Sequence, residues 1–490
     1  MAAIHPTTHK AQAAEPLQGA ARALGLPSAT ALVIGSIIGT GVFTMPAVMA
    51  GAGTISILVL LVISVGALLL GVMFGQLTRR IPATDGGLYA YSRHEFGDFA
   101  GYLTAWCYWI TCWAGNAAIV ASWVLYVKSF TMEAWGWTYP ANNNWPLFAI
   151  AMAGLWIPAV INLFGTRSMA WFQNITVVLK FLPLLFIGLF AWFFVAFASS
   201  NYPAFNTSGG SWMTAVSIAA GVALFSFIGV EATSIATSRV RDPRKNVGRA
   251  TIIGTAMCAL LYVLVTAAVM GLVPSTTLAK DEAPFVSAFQ SMFPGTSSAG
   301  WMVALVAVVS GFGALIGWTL VTAEIARAAA KDVLFPEHFG LTNRYNAPWF
   351  GIVVSTAVAS LLMAWSYLDP TNPNSLGLKV FTYLVSLSVV TVAIPYFFSA
   401  CAQLSYLVSR RRKVSGWMLG RDLAIAGASV LFSLWVTAAA GYAAVYQALI
   451  MVLIGLPIYA FLKARREREG LAMEPVEYNP DIPHAEMIHH

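Results

Sequence analysis

Stretches such as Ile57–Leu70 and Val303–Val309 carry no charged residue and no alternation of polar with apolar side chains. A bilayer core is crossed by about 20 apolar residues in helical form, and about twelve such stretches recur along the chain. They centre near residues 39, 65, 112, 155, 185, 225, 261, 312, 358, 393, 433 and 454. Strands of a membrane barrel would alternate at every second residue over about ten. In hydrocarbon every backbone N–H and C=O must find its partner inside the segment, which leaves helices. The chain is therefore expected to be an all-α polytopic membrane protein. Its composition agrees: 58% of residues are hydrophobic and 10% charged, against about 25% charged in soluble domains. That balance excludes a soluble enzyme, a nucleic-acid-binding protein and a disordered chain.

The formal net charge is +7, and its placement explains it. With the N-terminus set in the cytoplasm, only Lys128, Lys280 and Lys379 of the 27 basic residues fall in the opposite loops, and only Lys180 lies within a span. Such a bias predicts both termini on the cytoplasmic side of the plasma (inner) membrane. The positive charge is thus a topology signal, and no nucleic-acid partner is expected. The first 27 residues lack an apolar h-region, so no cleaved signal peptide is expected. Cys107, Cys112, Cys258 and Cys401 lie in apolar spans without metal-ligand spacing, and read as small buried hydrophobes. No metal and no cofactor are expected. A membrane enzyme would need a catalytic cluster at a span, yet none of the seven histidines lies in one.

The expected organisation is a cytoplasmic tail over 1–27, a core over 28–412, two further helices over 413–468 and a cytoplasmic tail over 469–490. Within the core, two weak points stand five spans apart. Ile34-Gly35-Ser36-Ile37-Ile38-Gly39-Thr40-Gly41-Val42-Phe43 places three glycines in the first span, each costing about 1 kcal/mol in a helix relative to alanine. Phe225-Ser226-Phe227-Ile228-Gly229-Val230-Glu231 sets a glycine beside a carboxylate in the sixth. Small residues also serve close helix packing. Paired interruptions at matching places in two halves point instead to the central site of a transporter, with inverted repeats over about 28–200 and 210–412. A carboxylate inside a span is a functional candidate by default. Glu231 could accept a proton, pair with a substrate cation, act as a gate, or simply pair with a hydroxyl such as Tyr108 or Tyr396.

These two segments, together with Gly86-Gly87-Leu88-Tyr89-Ala90-Tyr91 and Gly317-Trp318-Thr319-Leu320, recur in order in the amino acid–polyamine–organocation superfamily. The chain resembles its basic amino acid/polyamine antiporters, nearest to the arginine/agmatine antiporter, over about residues 22–465. The resemblance implies a LeuT-type repeat of five plus five helices, with broken helices 1 and 6 and two extra helices. It places substrate binding at Ile37, Gly39, Thr40 and Gly41, at Phe225, Ile228 and Gly229, at Thr111, Cys112, Asn116 and Ile119 on span 3, and at Ser388 on span 10. Trp318 aligns with a gating tryptophan that stacks on the substrate and closes the cytoplasmic path. Tyr108, Glu231 and Tyr396 align with the set that closes the external or distal side.

Two positions depart from that antiporter. Phe225 stands where it has a tryptophan, a better partner for a cation. This leaves room for lysine, ornithine or a less cationic substrate. Lys180 brings a charge into span 5. In several members of the superfamily a lysine there replaces a sodium ion bridging helices 1 and 8, which implies sodium independence. A snorkelling lysine is the alternative, although Lys180 lies about 15 Å from the helix end. Glu324 either pairs with Arg327 or shapes the cytoplasmic exit. The resulting expectation is a secondary transporter exchanging cationic amino acids or polyamines by alternating access. Proton-coupled symport of broader or neutral specificity is the alternative, and a nutrient sensor on the same scaffold is a third reading. Expected partners are a small amino acid or amine, protons, membrane lipid and a second copy in a homodimer.

Overall fold

The computed structural model describes residues 24–81, 86–140, 143–165, 169–368, 378–409 and 416–469. Most of both expected tails lies outside these residues. The described chain is helical: α1 (Leu26–Ile37), α2 (Gly41–Ala52), α3 (Ile55–Arg80), α4 (Leu88–Phe96), α5 (Asp98–Trp135), α6 (Trp145–Leu163), α7 (Met169–Phe190), α8 (Trp212–Phe225), α9 (Ala232–Ile235), α10 (Pro243–Leu272), α11 (Ser275–Leu278), α12 (Pro284–Met292), α13 (Ser297–Lys331), α14 (Trp349–Leu368), α15 (Leu378–Ser409), α16 (Gly416–Ala439) and α17 (Tyr442–Glu469). Among the described residues, ten helices are long and apolar enough to cross a membrane. α1 and α2 form one further span, bent by 50° at its break. The sixth apolar stretch is the short one, with α8 ending at Phe225 after 14 residues. The protein is an integral, multi-pass membrane protein.

The helices face two apolar media. On α3 the exposed residues Leu58, Leu61, Val62 and Val65 form one stripe, at the i, i+3, i+4, i+7 spacing of a helix face. Val59, Leu60, Ile63, Ala67 and Leu70 point inward and are buried. An apolar exterior of this kind is stable only against lipid. By contrast, α5 is buried along nearly its whole membrane length. It packs on α13, α15, α4, α6 and α14, and is the axis around which the site is arranged.

Two of the connections between long helices hold short helices of their own. The loop between α3 and α5 contains α4, and α11 and α12 fold between α10 and α13. Pro243 opens α10, where its missing N–H costs nothing. Just before it, Leu24 and Val240 form a parallel bridge: Leu24 N donates to Arg239 O at 3.1 Å and Arg241 N to Leu24 O at 2.9 Å. The start of α1 is thereby tied to the segment that follows α9.

One glycine sets how closely the two interruptions approach. Gly229 has φ +114°, and a Cβ there would lie 2.8–3.0 Å from the backbone of Ser36 and Ile37. Gly229→Ala is expected to cost about 1–3 kcal/mol from the left-handed backbone alone, and more from the overlap. Gly39→Ala, whose methyl would meet only Ile119 at 3.9 Å, should cost less. Thermal unfolding in detergent compares them, and equal midpoints would contradict this packing.

Candidate substrate site between two broken helices

At the first break, Ile38, Gly39 and Thr40 separate α1 from α2. The carbonyls released there are taken up by three other helices. Tyr262 Oη on α10 donates to Ile37 O at 3.1 Å. Lys180 Nζ on α7 donates to Ile38 O at 2.8 Å. Ser122 Oγ on α5 donates to Thr40 O at 3.1 Å, while Thr40 Oγ1 donates to Ile119 O at 3.0 Å. Thr44 and Ser122 share a further bond of 2.5 Å. The first amides of α2, at Gly41 and Val42, have no carbonyl one turn behind them in the helix. Both residues line a pocket instead.

The second break spans 226–231, between α8 and α9. Phe225, Ser226 and Ile228 line the same pocket from this side. α5 adds Thr111, Cys112, Gly115 and Ile119, α13 adds Trp318 and α15 adds Ser388. Ser388 Oγ donates to Thr111 O at 3.0 Å, and Thr111 and Thr391 share a bond of 2.9 Å. The polar wall is therefore pinned between α5 and α15. Phe225 meets Phe381 edge-on, with ring centroids 6.1 Å apart.

Ten of the expected binding residues thus meet at one pocket. Thr40, Asn116 and Gly229 do not line it. Thr40 is turned to α5, and Gly229 is spent on the contact with Ser36. Asn116 stands one helical turn from Cys112, but its Nδ2 donates to Thr322 Oγ1 at 3.1 Å, and Thr322 Oγ1 donates to Trp318 O at 2.7 Å. Its Oδ1 is buried without a partner among the described residues. Four lining residues were not singled out from the sequence: Ser36, Val42, Gly115 and Ser226. Ser36, Val42 and Ser226 lie inside the interrupted motifs, which was their signal. Gly115 had none, because what it supplies is space: a Cβ there would meet Ser388 Oγ at 3.4 Å and Phe225 at 3.7 Å.

Glu231 is fully buried. Its carboxylate accepts from Tyr108 Oη, from Tyr396 Oη at 2.8 Å and from the Gly229 amide at 3.2 Å. Both tyrosines named as hydroxyl partners are engaged at once, tying the second break to α5 and α15. Tyr108 is nearer the Asp98 end of α5 than Cys112 is, and Glu231 lies between Ile228 and Arg239 in sequence. The set therefore stands toward the basic end of the molecule, where Arg93, Arg239 and Arg466 lie, one of the two sides, external or distal, that the resemblance allowed. Lys180 is likewise buried, so it does not snorkel. Its bond is to the first break, and among the described residues it makes none to span 8. Glu324 pairs with Arg327 at 3.3 Å.

A pocket joining two interrupted helices inside a multi-pass bundle is the arrangement of a secondary transporter. The sequence model of the family described as amino acid permease matches residues 24–463, and the chain belongs to that family. It is 31% identical to the arginine/ornithine antiporter of Pseudomonas aeruginosa, over 92% of each chain. It is 29% identical to the putrescine transporter PotE of Haemophilus influenzae, over 90% of this chain and 97% of that one. It is 27% identical to the arginine/agmatine antiporter of Chlamydia trachomatis, over 91% of each.

The Lys180 bond yields a direct test. Lys180→Met should leave the Ile38 carbonyl unpaired in an apolar setting, a loss of about 1–3 kcal/mol. Thermal unfolding of the detergent-solubilised protein measures this. An unchanged midpoint would show that Lys180 does not hold the break.

Proposed function

We propose that the protein is an antiporter of cationic amino acids and their decarboxylated amines, binding them between the two breaks. The observation that carries this reading is the pocket itself. Its α2 side offers amides at the positive end of a helix, suited to a carboxylate. The rest of its wall is neutral, with aromatic faces at Phe225 and Trp318. Glu231, the carboxylate at the second break, is already engaged by two tyrosines and an amide. A cationic side chain would therefore be held by π faces and by dipoles such as the unpartnered Asn116 Oδ1. The relatives are named for arginine, ornithine, agmatine and putrescine, which share this cationic character.

In this mechanism Trp318 stacks on the substrate stem, and the Tyr108–Glu231–Tyr396 set closes the path toward the basic end. We place that end in the cytoplasm, from the charge bias of the loops. Lys180 stands in for a cation at the first break, so transport is sodium-independent. The second reading is proton-coupled symport, favoured by two buried ionisable groups, Lys180 and Glu231, each in contact with a break. Counterflow in proteoliposomes separates the two. Exchange requires internal substrate and proceeds without a pH gradient, whereas uptake into empty vesicles driven by a proton gradient would establish symport.

Two variants probe the pocket. Trp318→Ala should abolish exchange in correctly inserted protein, and near-normal flux would refute the site. Phe225→Trp should shift competition toward arginine and agmatine by roughly twofold to fivefold, from about 0.5–1 kcal/mol of added cation–π attraction. A competition panel that also contains lysine, ornithine, cadaverine and neutral amino acids reads this shift. An unaltered order of preference would place Phe225 outside the selectivity filter.

A further inference from the structure

Six arginines at the basic end are paired with acids. Arg80, Arg93, Arg327, Arg421, Arg465 and Arg466 each face a carboxylate. The exposed cations at the ends of α3 and α10 do not. Arg79, Arg241, Arg244, Lys245 and Arg249 make no ion pair among the described residues, and the exposed Asp242 makes none either.

The helix crossing explains why this group is unusual. A Cβ on Gly75 would lie 2.5 Å from Gly248 Cα, and one on Gly71 would lie 3.0 Å from Thr251. α3 and α10 therefore run antiparallel, with their backbones almost touching at Gly75 and Gly248. Arg79 is one turn beyond Gly75 and Arg244 is one turn before Gly248, so both stand on the facing sides of the two helices at the same level. Arg79 Nε is spent on Gly75 O at 3.1 Å, which leaves its terminal nitrogens free to point outward. Two guanidinium groups carried on facing sides of one crossing repel each other, and an anion between them relieves that repulsion. The pair sits where the apolar part of both helices ends, which is where a spanning helix passes into the headgroup region. Guanidinium forks match phosphate oxygens geometrically.

We propose that Arg79 and Arg244 form a binding site for the phosphate diester of an anionic lipid, rimmed by Arg241, Lys245 and Arg249. A lipid docked there bridges α3 and α10 without touching the substrate pocket. Basic clusters at this depth attract anionic headgroups by about 1 kcal/mol per Lys or Arg.

The test titrates the purified full-length protein, in neutral detergent, with short-chain phosphatidylglycerol and follows the thermal midpoint. Wild type should show a saturable rise that phosphatidylcholine does not give and that weakens steeply with added salt. Arg79→Gln/Arg244→Gln should weaken the apparent affinity by roughly tenfold or more, while Arg79→Lys/Arg244→Lys should retain most of it. Lys463→Gln/Arg468→Gln, which removes two cations from α17, should leave it unchanged. Four results would overturn the proposal: equal shifts in wild type and the glutamine variant, an equal loss in the α17 variant, a salt-independent response, or the same shift with soluble glycerophosphate at the same concentration. The last would make this a site for a free phosphate. If the glutamine variant does not fold, the lysine pair and the salt series on wild type still decide the matter.

Discussion

A carbonyl released from a helix inside a membrane has no water to accept from, so another part of the protein must supply the hydrogen. The Lys180–Ile38 bond answers this demand at the first break, and the rest of the site depends on it. With Tyr262 on Ile37 O and Ser122 on Thr40 O, the break is satisfied on its carbonyl side by three helices. Its amide side is left facing the pocket. That asymmetry gives the site its polarity: the protein covers the negative ends of the backbone dipoles and presents the positive ends to a ligand. A lysine suits this position because an ammonium donates only and cannot compete for the amides.

The second break is solved with the opposite charge. Glu231 collects the Gly229 amide and two tyrosine hydroxyls, so the interruption in the sixth span is tied to α5 and α15. α5 is thus fastened to both breaks, through Ser122 and Thr40 at one and Tyr108 at the other. Between those anchors lie Thr111, Cys112, Gly115 and Ile119, all on the pocket wall. A displacement of either break relative to α5 changes the shape of the pocket directly. This is the mechanical requirement for a site that opens to one side at a time.

Much of this was legible in the sequence, for a physical reason. A charge or a run of glycines in hydrocarbon is costly, so each one marks a place where the fold supplies compensation. Lys180, Glu231 and the glycines at 39 and 41 were readable on that ground. What the sequence could not show is which helix compensates which. The pairing of Lys180 with Ile38 spans 142 residues, and that of Tyr396 with Glu231 spans 165. Asn116 shows the same limit at short range. Its spacing from Cys112 puts both on one helix face, about 40° apart, yet Cys112 lines the pocket while the Asn116 amide is taken up by Thr322. Gly115 was illegible because it contributes the absence of a side chain. α4, α11 and α12 were missed because helices of 4 to 9 residues carry too little periodicity to stand out from a loop.

The placement of ion pairs carries the argument one step further. Asp422 on α16 binds Arg80 and Arg421 and accepts from Gln76 Nε2 at 2.9 Å. Gln76 Oε1 in turn accepts from Gln403 on α15 at 2.7 Å. Asp98 on α5 binds Arg93 on α4 and Arg466 on α17, and Arg93 also reaches Asp332 at the end of α13. These contacts join α3, α15 and α16 on one side and α4, α5, α13 and α17 on the other. The helices nearest the first break, α1 and α10, take no part in them. They are joined to the rest by apolar packing, by the bonds at the break, by the 2.7 Å bond between Thr251 and Thr233, and by the Gly271 and Ala267 carbonyls, which accept from Asn201 Nδ2 at 2.7 Å and Tyr202 Oη at 2.8 Å. Directional bonds resist sliding more than apolar contacts do, because a hydrogen bond weakens steeply with angle whereas burial depends only on area. The ion pairs of the basic end are therefore gathered on the helices around α5 and α3, while α1 and α10 are held by hydrogen bonds at the break and at the far end of α10.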